Sequence, residues 1–409
     1  MERIVLESDG LMMSIRYGKY NQELEMSGNK RIPKGICMIQ RKRKSLTKQI
    51  EDHANKKISK SIIDTSILVP SGSTLLNLSC TDNPFGAFAL GSIVTLPGGS
   101  ASGKTLLMLT MLAKCASNKR FDDYDLVYDD GEETCDRFDI RYSFGEKLKE
   151  RLQSPNYTAD GEPLNSNTIQ DFKSNIINKS IGNKAFIWVL DSLDSLSSSE
   201  ELEREYKTAI MKAKSPEAIV ELKGSYKTEK AKGIGETLRI INGKIKHSKS
   251  VLFIVQQERD NIGVTFGSKK TTSGGNAPYF YSSHQVWLNM KKPITKEAKG
   301  QKRTIGHSVI AKVKKNKITG KVRIAEFDVY DDYGVDDISS CINFLIDTKH
   351  WKKAATQITA QEFDLCCSEK EIVNFIENNN KEKELQEITG AVWSDIEENI
   401  RLDRKRRFE

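Results

Sequence analysis

The sequence predicts an α/β fold, a mostly parallel sheet between layers of helices, and three observations carry that expectation. Strand and helix patterns alternate from about residue 66 to about residue 330. The candidate core strands Ile93–Leu96, Leu126–Tyr128, Phe186–Leu190 and Val251–Val255 are short and apolar on both faces, as buried parallel strands must be. Gly98 to Thr105 reads GGSASGKT, fitting G-x-x-x-x-G-K-[ST] between the strand Ser92–Leu96 and the helical run Leu106–Leu112.

That loop implies a nucleoside triphosphate. Gly98, Gly99, Ser100, Ala101, Ser102 and Gly103 let successive backbone N–H groups point at phosphate oxygens, and the following helix adds its positive end. Lys104 would reach the β- and γ-phosphates and Thr105 would ligate Mg²⁺, so ATP and Mg²⁺ are the expected cofactors. A second carboxylate should hold the metal's water shell from the end of a neighbouring buried strand. Asp191, after Phe186–Leu190, fits; Asp194 lies three residues further out. Leu126–Tyr128 is expected to lie beside the P-loop strand and runs into Asp129-Asp130-Gly131-Glu132-Glu133, where Glu132 or Glu133 could polarise a water. The last core strand ends on Gln256 and Gln257, amides able to bond a γ-phosphate. A glycine-punctuated stretch from Glu258 to Ala277 follows, with Arg259 and Phe266 available for phosphate contact and base stacking.

Around this core, residues 1–65 form a basic segment with a block at Arg41–Lys44, a charged helix expected over Leu46–Lys57 and strands at Ile62-Ile63 and Ile67–Val69. Residues 200–233, rich in Lys and Glu, read as an exposed loop or helical insertion. Val286–Asn289, Val309–Val313 and Val322–Val329 read as an antiparallel addition, with a hairpin turn at Thr319-Gly320. Residues 331–409 read as a helical module (Ile338–Ile346, Glu369–Glu377, Val392–Ile400) with a basic end.

Composition excludes several classes. No run of eighteen apolar residues predicts a membrane span, and the first residues lack a signal peptide's apolar stretch, which points to the cytoplasm. Seven cysteines without CxxC spacing and five histidines apart from them argue for reduced thiols and against structural zinc. The net charge of +8 favours a polyanionic partner.

With these segments together, the chain resembles the RecA-type recombinases, bacterial RecA and its bacteriophage relatives, over residues 66–330. The resemblance rests on Ile262-Gly263-Val264 with Phe266-Gly267, Thr271-Thr272-Ser273-Gly274-Gly275-Asn276-Ala277, Phe280-Tyr281 and Lys315-Asn316-Lys317. It implies a RecA-type P-loop NTPase core with an N-terminal oligomerisation segment and a small helical C-terminal module. It also implies a DNA-dependent ATPase that forms a helical homo-filament on single-stranded DNA, pairs it with double-stranded DNA and acts in recombination and repair.

Residue by residue, the resemblance selects Glu132 as the base and Gln257 as the phosphate sensor. It makes Lys315 and Lys317 cations acting in a neighbour's site, and Asp136 an adenine-site aspartate. Arg239, Arg259, Ile262, Gly263, Phe266, Thr271, Thr272, Gly274, Gly275 and Asn276 become DNA-binding residues. Four departures stand out: Asp139 where an aromatic is expected, Tyr279 where a lysine is expected, the 200–233 insertion in place of the first DNA-binding loop, and a basic rather than acidic end. A RecA-fold replicative helicase and a non-catalytic recombination mediator are the alternatives. A helicase usually lacks the T-T-x-G-G-N-A loop, and a decayed mediator would not keep Lys104, Thr105, Glu132, Asp191 and Gln257 together.

Overall fold

A computed structural model describes residues 5–8, 11–14, 64–133, 139–182, 184–214, 226–260 and 270–404. The Leu46–Lys57 helix, the Arg41–Lys44 block, the Ile62-Ile63 strand, Asp136, Ile262, Gly263 and Phe266 lie outside the described residues. The chain divides into a unit spanning Met1–Ser61 and a unit spanning Ile62–Glu409. In the first, Val5–Ser8 pairs antiparallel with Leu11–Ser14.

In the larger unit, α1 (Thr74–Thr81) precedes β1 (Ser92–Gly98), α2 (Lys104–Ala116), β2 (Asp125–Asp130), β3 (Leu152–Gln153), α3 (Ile169–Ile181) and β4 (Phe186–Asp191). There follow α4 (Ser199–Lys214), α5 (Tyr226–His247), β5 (Val251–Asp260), β6 (Lys270–Thr272), α6 (Ala277–Tyr281), β7 (His284–Ala298), β8 (Gln301–Asn316), β9 (Arg323–Tyr330) and β10 (Gly334–Asp336). These ten strands form one sheet, nine of them in the order β10-β9-β8-β7-β1-β5-β4-β2-β3 and β6 paired with β5. The pairs from β7 through β1, β5, β4 and β2 to β3 are parallel, and β7 through β10 pair antiparallel.

The continuous apolar runs are explained by helices on both faces. Ile187 and Val189 of β4 pack with Leu107, Met108 and Met111 of α2. Phe186, Trp188 and Leu190 turn the other way, onto Phe172 and Ile176 of α3 and Leu238, Ile241 and Ile245 of α5. A period of two along one strand thus feeds two cores.

The expected neighbourhood of the Leu126–Tyr128 strand is corrected. β1 lies between β5 and β7, and β2 sits two strands further out, beyond β4. Strand order is set by how the crossovers pass over the sheet, which local hydropathy does not encode.

The insertion contains α4 and the start of α5. The hairpin turn at Gly320 adopts φ 72° and joins β8 to β9.

The C-terminal module contains α7 (Asp337–Asp347), α8 (Glu369–Asn378) and α9 (Glu382–Asn399), together with a three-stranded antiparallel sheet that the sequence reading did not anticipate. Arg323, at the start of β9, ties α9 to the core. It pairs with Asp82, the C-cap of α1, at 2.7 Å and with Glu397 of α9 at 2.5 Å, while the Trp393 indole donates to Asp82 at 3.0 Å.

Candidate active site

At the carboxyl end of β1 the chain makes a close turn. A side chain on Gly98 would come within 2.6 Å of the Leu288 carbonyl oxygen and the Ser102 hydroxyl, so only glycine fits. Gly103 then takes φ 81° and caps α2 without any side-chain bond, leaving the first helical N–H groups for a ligand. The Lys104 ammonium lies across the loop, donating to the carbonyls of Gly99 at 2.6 Å and Gly98 at 3.1 Å. Burial pulls Lys104 below the ordinary lysine range, and Asp191, Glu132, Asp194 and Glu258 oppose that pull. Four carboxylates facing one ammonium mark the place where anionic and cationic groups of the site converge.

Thr105 and Asp191 meet across the sheet. The Thr105 hydroxyl donates to Asp191 Oδ2 at 2.7 Å, and the buried Tyr128 phenol donates to the same oxygen at 2.7 Å. Burial raises the Asp191 carboxyl above its usual range, against the two hydroxyl bonds that lower it. A hydroxyl and a carboxylate are hard oxygen donors suited to Mg²⁺, which completes its shell with water and phosphate. Among the described residues there is no group of three or more His, Cys, Asp or Glu able to hold a metal by themselves.

Glu132 reaches the same place from two strands away. Its Oε1 accepts the Ser192 hydroxyl at 2.6 Å and the Gln257 amide at 3.1 Å, so the ends of β2, β4 and β5 are joined through one carboxylate oxygen. Beneath it, Asp129 accepts the Ser166 N–H at 2.8 Å and hydroxyl at 2.7 Å. Burial pushes the Asp129 carboxyl up to about 6.

β5 carries both Gln257 and the stem of the following loop. Gln257 lies directly opposite Gly98 in the parallel register. One residue on, Glu258 pairs with Thr272, Arg259 with Thr271 and Asp260 with Lys270. The Gln256 amide donates to the Ser273 carbonyl at 2.8 Å, fixing the base of this stem. Gly274 is buried at φ 85°, where a side chain would meet Leu193, Pro278 and Ile234 within 3.3 Å. Gly275 and Asn276 are exposed beside it, and Arg239 is exposed on α5.

Lys315 and Lys317 are not brought to this loop. Lys315 sits opposite Gln285 at the start of β7, which sits opposite Thr95 midway along β1. Val309, six residues earlier on β8, packs at Gly103, which puts Lys315 on the order of 20 Å away along the strand. Its ammonium bonds the carbonyls of Tyr279 and Phe280. Burial, then the charge of Lys317, brings Lys315 down to about 8.

Sequence reasoning passed over Tyr128, Ser192 and Asp194. A tyrosine inside a fully buried strand was the available signal, since its hydroxyl must find a partner. Asp194 was set aside as too far along the chain, yet its carboxylate accepts the Gln257 N–H at 2.8 Å and pairs with Arg259 at 2.9 Å.

Comparison with known proteins points to similarity with protein RecA. The family model for the RecA N-terminal domain matches residues 176–336, from α3 to the end of the main sheet, a stretch that begins after the P-loop. Protein RecA of Porphyromonas gingivalis is 27% identical over 294 residues, covering 72% of this chain and 75% of that protein. Protein RecA of Corynebacterium efficiens is 27% identical over 292 residues, covering 71% and 66%. Protein RecA of Clostridioides difficile is 32% identical over 149 residues, covering 36% and 42%. Among the described residues no helix is long and apolar enough to cross a membrane.

Proposed function

We propose, from a similarity to protein RecA that covers 72% of this chain, that it is a DNA-dependent ATPase. In this reading it assembles on single-stranded DNA and promotes homologous pairing and strand exchange with a duplex. One observation carries the proposal: Gln257 bonds Glu132 through its side chain and stands one residue before the paired stem of the Glu258–Thr272 loop. A change at the phosphates therefore has a single stretch of backbone to cross before it reaches the loop.

The chemistry follows from the residues. Backbone N–H groups of Gly98–Gly103 and the first turn of α2 cradle the phosphates, and Lys104 moves from its own loop's carbonyls to the β- and γ-oxygens. Thr105 and Asp191 would hold Mg²⁺, which supplies charge neutralisation at the bridging oxygens when bound. Glu132 orients the attacking water and accepts its proton, held in place by Ser192 and Gln257. Asp136 would contact the adenine. Lys315 and Lys317 of one protomer would stabilise charge in a neighbour's site, a role supported by their distance from the P-loop of their own chain. Arg239, Arg259, Ile262, Gly263, Phe266, Thr271, Thr272, Gly274, Gly275 and Asn276 would contact DNA. The test is ATP turnover across protein concentration, with and without single-stranded DNA. Specific activity should rise steeply with concentration and with DNA; a flat response to both overturns the reading.

A further inference from the structure

Asp194 stands where the nucleotide site and the loop meet. Its side chain is 6% exposed and both carboxylate oxygens are used, Oδ2 by the Gln257 N–H at 2.8 Å and Oδ1 by Arg259 at 2.9 Å. Its carbonyl oxygen accepts the Lys230 ammonium at 2.9 Å, from the first turns of α5 inside the 200–233 insertion. The preceding residue is pinned as well, with the Leu193 N–H on the Val255 carbonyl at 2.9 Å. The carboxylate is therefore fixed on all sides. Its partner is not: the Arg259 side chain is 54% exposed and meets Asp194 through one nitrogen. A guanidinium has five N–H donors and prefers paired bonds to a carboxylate or phosphate.

We propose that Asp194 is a positioning residue for nucleic-acid binding, competing with a DNA phosphate for the Arg259 guanidinium under control of the nucleotide-sensing strand end. This rests on the reading of Arg259 as a DNA contact. A phosphodiester approaching Arg259 meets a charge already compensated by Asp194, so affinity is set by the exchange of one anion for another. The second oxygen supplies the control. It is bonded to the main chain of Gln257, so a shift of that strand end toward a γ-phosphate pulls on the carboxylate and loosens its hold on Arg259. By linkage, DNA must then raise nucleotide affinity by the same factor that nucleotide raises DNA affinity.

The experiment uses the full chain and a fluorescent oligodeoxythymidylate, with anisotropy read with and without a non-hydrolysable ATP analogue and Mg²⁺. Asp194→Asn keeps the shape and an acceptor for the Gln257 N–H while removing the charge. Without nucleotide it should bind about three- to fivefold more tightly than wild type, the scale of one exposed ion pair. It should also gain less from the analogue and show a salt slope steeper by up to about 0.7. In an Arg259→Ala background the same substitution should change nothing. Equal tightening in both backgrounds would overturn the proposal, because loss of any negative charge would then suffice. So would unchanged or weaker binding by an Asp194→Asn protein with a native near-UV spectrum. Asp194→Ser, which also keeps an acceptor, takes its place if that protein does not fold. If Arg259→Ala alone binds as tightly as wild type with the analogue, the reading of Arg259 itself fails; if Arg259→Ala weakens binding while Asp194→Asn is silent, only the competition fails.

Discussion

The two ends of the central sheet are built on opposite plans. At the carboxyl end of the parallel strands, Thr105 bonds Asp191 while Ser192 and Gln257 both bond Glu132, all within 3.1 Å. At the amino end, Lys315 rests on backbone carbonyls, and the charged groups that shift Lys315 and Lys317 are other lysines, Lys317 and Lys246 respectively. Phe280, alongside, is 69% exposed. One end is bonded within itself; the other gathers positive charge.

Mixing two inactive proteins puts this contrast at greatest risk. The double substitution Lys315→Ala and Lys317→Ala should lower DNA-stimulated turnover by about 10³-fold or more, the scale of a charge supplied in trans. Lys104→Ala should be inactive for a different reason. Combined, the two should recover turnover, since intact phosphate loops then face intact lysines; a mixture that stays inactive would place all of the chemistry at one end. Glu132→Gln tests the self-contained end and should cost about 10²-fold in turnover while leaving binding of a fluorescent ATP analogue intact. Equal loss of binding and turnover would mean that Glu132 is structural.

Tyr128→Phe sharpens the contrast more finely. Losing one of two hydroxyl bonds to Asp191 should raise the Mg²⁺ needed for half-maximal nucleotide binding by about tenfold, as removal of a partner behind a metal ligand commonly does. An unchanged Mg²⁺ titration would make the phenol a packing group only. The last prediction concerns stability. The Asp129 carboxyl is raised to about 6 by burial, so its contribution favours the fold below pH about 4 and is lost as pH rises through about 6, on the order of 3 kcal/mol. Asp129→Asn should flatten that part of the profile of melting temperature against pH, and parallel profiles for the two proteins would dismiss the idea.

Much of the self-contained end was legible in the sequence. The P-loop and Asp191 each follow an apolar strand, and strand ends are readable from local pattern; Glu132 over Glu133 and Gln257 over Gln256 rest on the resemblance alone. Asp194 was not legible, because its importance comes from Arg259, 65 positions away, across a backbone turn that no spacing rule describes. The place of β2 in the sheet was misjudged for a related reason: crossovers decide it. Within the C-terminal module the start of α9 was placed ten residues late, since Gly390 breaks the helical pattern. In the fold Gly390 packs closely on Pro84, which a side chain there would meet at 3.0 Å. The three-stranded sheet escaped because its strands are three or four residues long.

The direct pairing of Gln257 with Gly98 limits how this protein can vary over time. Side chains alternate along a strand, so a single residue inserted between Val255 and Arg259 would exchange the faces of Gln257 and Glu258 and carry the arginine away from Asp194. Substitutions in this stretch can be graded in their effect; changes in its length cannot. Lineages of such a chain should therefore accumulate insertions in the 200–233 region and the termini, and keep the distance from Val251 to Asp260 fixed.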